Sequence, residues 1–296
     1  MANLRDVRLR MRAIEQTLQV TKAMNLISTA KLRKGRRILE DTEPFFRRIQ
    51  KSMYDILAGA ETMESEYLSK KKIGDPGRVA VLVITSDKGL AGGYNANIFR
   101  AVNELCAQHA NPILILIGSI GYRYFIHSPH LILENFSFRS QLPEVENAKE
   151  IADYIISQYL WGMLGEVYMV YTHMYSTIKL LPTVRQILPL DAEKIQNELA
   201  QIESQKRTEL RFEYLPSEDA VFDSLVPLYI KGIIYGALVE SYVSEQSARM
   251  AAMDEASKNA EEMLAALQIH YNRARQTSIT QEVTEIISGS QALSEE

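Results

Sequence analysis

Hydrophobic positions along the chain follow two periodicities, and the periodicity changes with place. Near the start, Leu4, Val7, Met11, Ile14 and Leu18 recur at alternating spacings of three and four, the seam of a coiled coil. The pattern then shifts phase through Met24, Ile27 and Ala30, and Phe45, Ile49, Met53 and Ile56 carry it to about Leu57. Near the end, Met250, Met253, Ser257, Ala260, Leu264, Leu267, Tyr271, Ala274 and Ser278 keep the same spacing. Several of these are small, which lets a partner helix come close. Helix breakers agree with both stretches: no proline precedes Pro44 or follows Pro227, and no glycine lies between Gly236 and Gly289. Pro44 is expected to kink or re-cap the first helix. An unbroken helix from Leu225 to Ile287 would be roughly 90 Å long, far beyond the average globular helix. A 3.5-residue repeat predicts a left-handed supercoil. The simplest partner for each terminal helix is the other, antiparallel if both leave one middle domain.

The middle has a different rhythm. Val79 to Thr85 and Pro112 to Ile117 are continuous apolar runs of the kind found in strands buried on both faces. Leu131 to Phe136 reads as a third strand, and Ala96 to His109 and Val145 to Tyr159 as helices. Val167 to Thr172 and Ile178 to Leu188 read as strands paired in a hairpin, and Asp191 to Tyr214 as a polar connection. Alternating strand and helix predicts an α/β sheet, mostly parallel, with an antiparallel edge. The expected organisation is an N-terminal coiled-coil helix over 1–58, a central Rossmann-like α/β domain over 75–190, and a C-terminal helix over 210–288 that pairs with the first.

Composition changes the picture at one point. The net charge of −4 over 296 residues hides 13 Lys+Arg against 5 Asp+Glu in residues 1–51, and 4 against 10 in residues 240–296. A basic helix and an acidic one would attract each other. The single cysteine, Cys106, excludes a disulfide framework and a cysteine-based zinc site. The longest apolar runs are about six residues, against the ~20 of a membrane span. The basic start lacks the apolar core of a secretory signal.

Few residues are arranged for catalysis. Gly89, Gly92 and Gly93 sit where phosphate loops sit, between strand and helix, but without the spacing of either common nucleotide fingerprint, so a structural turn is expected. His127 and His130 have no carboxylate cluster beside them, and Gly118-Ser119-Ile120-Gly121 is one residue short of a nucleophile elbow. Lys31, Arg33, Lys34, Arg36 and Arg37 form a basic cluster on the first helix. A solvated face, nucleic acid or an acidic protein partner would each account for it. The acidic total and the lack of interleaved aromatics count against nucleic acid. The segment from Arg273 to Gly289 is polar nearly all round, the property of a helix surrounded by a partner.

Three segments carry a resemblance. Thr21-Lys-Ala-Met24 with Ala30-Lys-Leu-Arg33, Ile84 to Asn95, and Ser244 to Met253 with Tyr271 to Gly289 resemble the gamma-subunit family of rotary F-type ATP synthases. That family has two terminal helices in an antiparallel coiled coil around an α/β domain. The resemblance implies a non-catalytic rotor shaft without cofactor or metal. Its partners would be an alpha3beta3 hexamer, an epsilon subunit and a ring of membrane c subunits, with no nucleic acid and no direct membrane insertion. It implies a place on the cytoplasmic face of a bacterial inner membrane. Arg275 and Gln276 would form a catch for a beta-subunit loop. Met24, Arg249, Thr280 and Glu282 would lie in regions tied to coupling, and the basic cluster at Lys31 to Arg37 could face acidic beta loops. With Cys106 alone, thiol regulation is not expected. The competing reading is an α/β nucleotide-binding protein with coiled-coil arms.

Overall fold

A computed structural model gives the structure of the protein and describes residues 4–59, 63, 65–68, 78–138, 142–176, 179–191 and 214–294. The elements are α1 (Leu4–Gly59), β1 (Val79–Ile84), α2 (Tyr94–Cys106), β2 (Ile113–Ile117), α3 (Ser119–Phe125), β3 (Leu131–Phe136), α4 (Val145–Leu160), β4 (Glu166–Met174), β5 (Leu180–Leu188) and α5 (Glu218–Ser294). The chain forms two compact units, Met1–Ser28 with Arg249–Glu296, and Thr29–Ala248. Most of the expected connection from Asp191 to Tyr214, and Ile178 at the expected start of β5, lie outside the described residues.

The larger unit holds a five-stranded sheet of order β3-β2-β1-β4-β5. The first four strands are parallel and β5 is antiparallel to β4, which is the expected arrangement. Strands β1 and β2 are apolar throughout because helices cover both faces. Val79, Val81, Val83, Leu114, Leu116 and Val170 pack with Ile98 and Val102 of α2 and Phe125 of α3. The other face carries Ala80, Leu82, Ile115 and Met169, all fully buried. α4 buries Ala148, Ile151, Ala152, Ile155 and Tyr159, and Asp153 on it pairs with Lys231 of α5 at 2.8 Å. Pro182 is tolerated in β5 because that strand is an edge. At the end of β2, Gly118 has φ +95 and lies against Thr85, so a side chain there would be both strained and blocked.

α1 differs from expectation in two ways. The helix continues through Pro44 without a new cap, and Thr42 Oγ1 donates to Ile38 O (2.7 Å) one turn earlier. Its seam does not change phase. Buried or half-buried positions run from Leu18 through Thr21, Asn25, Ser28, Leu32, Gly35, Leu39, Thr42 and Phe46 to Ile49, Met53 and Ile56. Ile27 and Phe45, expected inside, are 56% and 53% exposed. Polar and small residues occupy the seam here, so apolar residues alone give the wrong phase.

α5 begins at a conventional cap, where Ala220 N donates to Ser217 Oγ (3.2 Å), followed by Glu218 and Asp219 in the first turn. It contains an 18-residue window apolar enough to cross a membrane by length and composition, and half of that window is buried. Phe222, Val226, Ile230 and Ile234 are fully buried, so the apolar character is that of a core helix.

In the smaller unit, α1 and α5 share a seam in which Met253 and Ala260 are buried and Leu264, Leu267, Tyr271 and Ala274 are half-buried. Hydrogen bonds fix its register. Asn25 Nδ2 donates to Met250 O (3.1 Å), Ser257 Oγ to Thr21 Oγ1 (2.8 Å), and Arg8 Nη2 to the Tyr271 hydroxyl (2.6 Å). Lys22 and Glu261 form an ion pair at 2.7 Å, but both side chains are more than half exposed. Such a pair contributes about 0–1 kcal/mol, whereas burying one large apolar side chain contributes about 1.5–3 kcal/mol. Opposite charge therefore assists this pairing, and the seam holds it.

Candidate partner-binding surface

In the turn after β1, one of the three glycines, Gly92, takes a conformation that favours glycine. Asn95 Nδ2 donates to Ser86 Oγ (2.7 Å), Ser86 N donates to Asn95 Oδ1 (3.2 Å), and Leu90 and Gly92 take left-handed conformations. In an open α/β sheet a ligand binds beyond the strand ends where strand order reverses, here between β1 and β4. α5 occupies that position: Ser244 Oγ donates to Thr172 O (3.1 Å) on β4, and the Tyr94 hydroxyl donates to Ser241 O (3.2 Å). A nucleotide crevice is thus filled by the protein's own helix. Ser119 Oγ bonds Asp87 (3.1 Å), and Cys106 is buried, its thiol pushed up to about 11 by burial. Neither is set up as a nucleophile.

The far end of α5 presents the reverse situation. Every residue from Arg275 to Ser288 is exposed, and Ser278, expected in the seam, is exposed with them. Its polar groups bond along its own helix: Thr280 Oγ1 donates to Gln276 O (2.9 Å), Thr284 Oγ1 to Thr280 O (2.8 Å), and Ser278 Oγ to Glu282 (3.3 Å). The Ser278–Glu282 pair adds only about 0.2–0.5 kcal/mol, and threonine bonds to the carbonyl four residues back add no stability to the helix. This stretch is kept helical largely by continuity with the turns before it, since short helices alone are marginal in water.

Four large apolar residues on this stretch escaped sequence reading. Ile279, Val283, Ile286 and Ile287 are 51%, 48%, 71% and 52% exposed. At 3.6 residues per turn Ile279, Val283 and Ile286 form one stripe. Arg275 and Glu282 border it on one side, Gln276 and Thr280 on the other. The signal that could have found it is the 4-3 spacing of isoleucine and valine, hidden among polar neighbours. Each side chain expected at the catch therefore flanks an uncovered apolar stripe.

The remaining expected residues are placed differently. Arg249 is 7% exposed and Met24 is half-buried, in the turn next to the Asn25–Met250 bond. Arg249 is therefore an interior residue, and Met24 lies at the edge of the seam. Arg33, Lys34, Arg36 and Arg37 are exposed and Lys31 is half-buried, while Leu32 and Gly35 between them face the seam. Arg36 Nη2 reaches Met174 Sδ at 3.6 Å, and Arg37 lies 3.9 Å from Asp41. The cluster is a fringe along the seam rather than a single patch.

Comparison with known proteins agrees with this geometry. A family model described as ATP synthase matches residues 3–293. The chain is 40% identical to the ATP synthase gamma chain of Acetivibrio thermocellus, covering 99% of this chain and 100% of that one. It is 41% identical to that of Ruminiclostridium cellulolyticum over 98% of this chain and 99% of that one. A sodium-ion-specific ATP synthase gamma chain from Acetobacterium woodii is 33% identical over 98% and 99%. Among solved structures, a chain of the Euglena gracilis mitochondrial ATP synthase has the same fold, with a TM-score of 0.67 at 17% identity, covering 98% of this chain and 94% of that one. Full-length coverage at this identity settles the relationship: the chain belongs to the ATP synthase gamma-chain family.

Proposed function

We propose that this protein is the central rotor shaft of an F-type ATP synthase, seated in an alpha3beta3 hexamer and resting on an epsilon subunit and a c-subunit ring. It couples ion-driven rotation to conformational cycling of catalytic beta subunits and has no catalytic site of its own. The complex lies on the cytoplasmic face of a bacterial inner membrane. The observation that carries this reading is the stretch of α5 from Arg275 to Ser288, exposed on every side yet bearing an apolar stripe. A helix of that composition is stable when something encloses it.

The catch follows from the same geometry. In a water-excluding sleeve, Arg275 would donate charge-assisted hydrogen bonds to a beta-subunit loop, each contributing ~1.5–3 kcal/mol. Gln276 adds a neutral donor and acceptor beside it. Interactions of that size, made at one angle and lost at the next, bias a state without locking it. Met24 and Arg249 act indirectly, by holding the helices that carry the catch. The basic fringe from Lys31 to Arg37 faces acidic loops of the hexamer, with long-range attraction guiding approach more than adding affinity.

Mixing the chain with alpha and beta subunits tests this reading. One copy of the chain should co-purify with each alpha3beta3 hexamer, and the chain alone should hydrolyse no ATP. Failure to join the hexamer, or ATPase activity of the chain by itself, would overturn it.

A further inference from the structure

The larger unit contains a pocket of about 320 Å³ bounded by α1, α5 and the β4–β5 hairpin. We infer that it is a binding site for a small, uncharged aromatic molecule. Two glycines, Gly232 and Gly236, lie one turn apart on α5. Glycine weakens a helix relative to alanine, so each position calls for a reason. At Gly232 the reason is visible: a Cβ would run into the Phe46 ring of α1. At Gly236 it is not, because an added Cβ would have nothing within 4 Å. Gly236 lines the pocket, so the space it leaves open is the pocket itself.

The lining defines the ligand. Phe46, Tyr171 and Tyr229 offer aromatic surface, with Met169 and Ile233 completing an apolar floor. A flat ring packs well on such walls. The charged lining groups cancel. Glu43 and Arg47 pair at 2.6 Å, Glu240 pairs with His173 at 2.7 Å, and Arg185 supplies the second positive charge against the two carboxylates. An ionic ligand would gain little net attraction and would lose its hydration. The volume is at the lower end of small-molecule sites, which run from about 300 to 1,000 Å³, and suits a molecule of one or two rings. An occupant would touch both long helices and the hairpin at once, so it would tie them together.

Indole is the probe, and the full-length chain is the sample. Thermal unfolding should shift upward by several degrees and saturably with indole. Benzoate, similar in size but charged, should bind at least tenfold more weakly. Gly236→Ala should fold, since its methyl enters open space, and bind indole at least fivefold more weakly. Gly236→Leu should abolish the shift; if that variant does not fold, the alanine variant decides. No saturable shift in the unmodified chain, benzoate binding as tight as indole, or unchanged affinity in the folded glycine variants would each overturn the assignment. Repeating the titration on the assembled complex separates the pocket from a docking socket. Retained indole binding is expected there, and its loss on assembly would mean that a partner's side chain fills the space.

Discussion

Arg275 and Gln276 are exposed, and Gln276 O accepts from Thr280 of the same helix. Replacing both with alanine should leave the folded chain within about 0.5 kcal/mol of its original stability, as for most surface changes. ATP synthesis by reconstituted membranes should nevertheless fall, and the loss should exceed that of Arg33→Ala with Lys34→Ala. Unchanged synthesis with the catch pair removed would retire the catch while leaving the shaft intact. Ile279→Ser with Val283→Ser tests the apolar stripe. The chain should stay folded but bind the hexamer at least tenfold more weakly in a pull-down titration. Alkali provides a third test at this scale. Burial pushes the Cys106 thiol up to about 11 and the Tyr159 and Tyr168 phenols up to about 12, with Glu166 adding to the effect on both. These groups ionise more readily unfolded, at ordinary values of 9.0 and 10.0. Their contribution to stability is complete below about pH 9 and is lost as pH rises through the folded values. The urea midpoint should therefore drop steadily between about pH 9 and 12, and Cys106 should react with thiol reagents only as the chain unfolds.

The long helices show how elements depend on their seam. Gly35 lies where α1 meets α5, and a Cβ there would come within 2.7 Å of Val243 Cγ2. Gly35→Ala gains helix propensity but overpacks this contact, which typically costs about 1–3 kcal/mol. A lower melting temperature is expected, partly restored by Val243→Ala, and additive effects in the double mutant would contradict the contact. The same position explains a limit of sequence reading. The strands of the sheet, its mostly parallel character and the hairpin were legible from the apolar runs and their alternation with helices, whereas the order β3-β2-β1-β4-β5 came only from the structure. The phase of α1 beyond Leu18 was not, because Thr21, Asn25, Ser28, Gly35 and Thr42 carry the seam while Ile27 and Phe45 face out. Close helix packing selects small and hydrogen-bonding residues, and a count of hydrophobics passes over them. A new cap at Pro44 is absent for a related reason: a helix already held on both sides by its seam tolerates one missing hydrogen bond.

For the molecule as a whole, the two terminal helices and the middle domain were visible in the placement of proline and glycine, and so was the polar character of the end of α5, which the structure leaves exposed. The apolar stripe within it was not, nor was the filling of the sheet's crevice by Ser241 and Ser244, since both depend on which residues the fold leaves uncovered or brings together. The strong charge asymmetry of the termini was legible too, but its meaning moved. Exposed pairs such as Lys22–Glu261 add little to the seam, so the charges are available to partners. A shaft of this design should be passive by itself and move only inside its bearing. The most direct measurement is single-molecule rotation of the alpha3beta3 complex containing this chain, with a bead fixed to the sheet-bearing unit. With ATP present the bead should turn continuously in one direction, in steps that repeat three times per revolution, and should stop when ATP is withdrawn. A fully assembled, ATP-hydrolysing complex whose bead shows only random fluctuation would contradict the account.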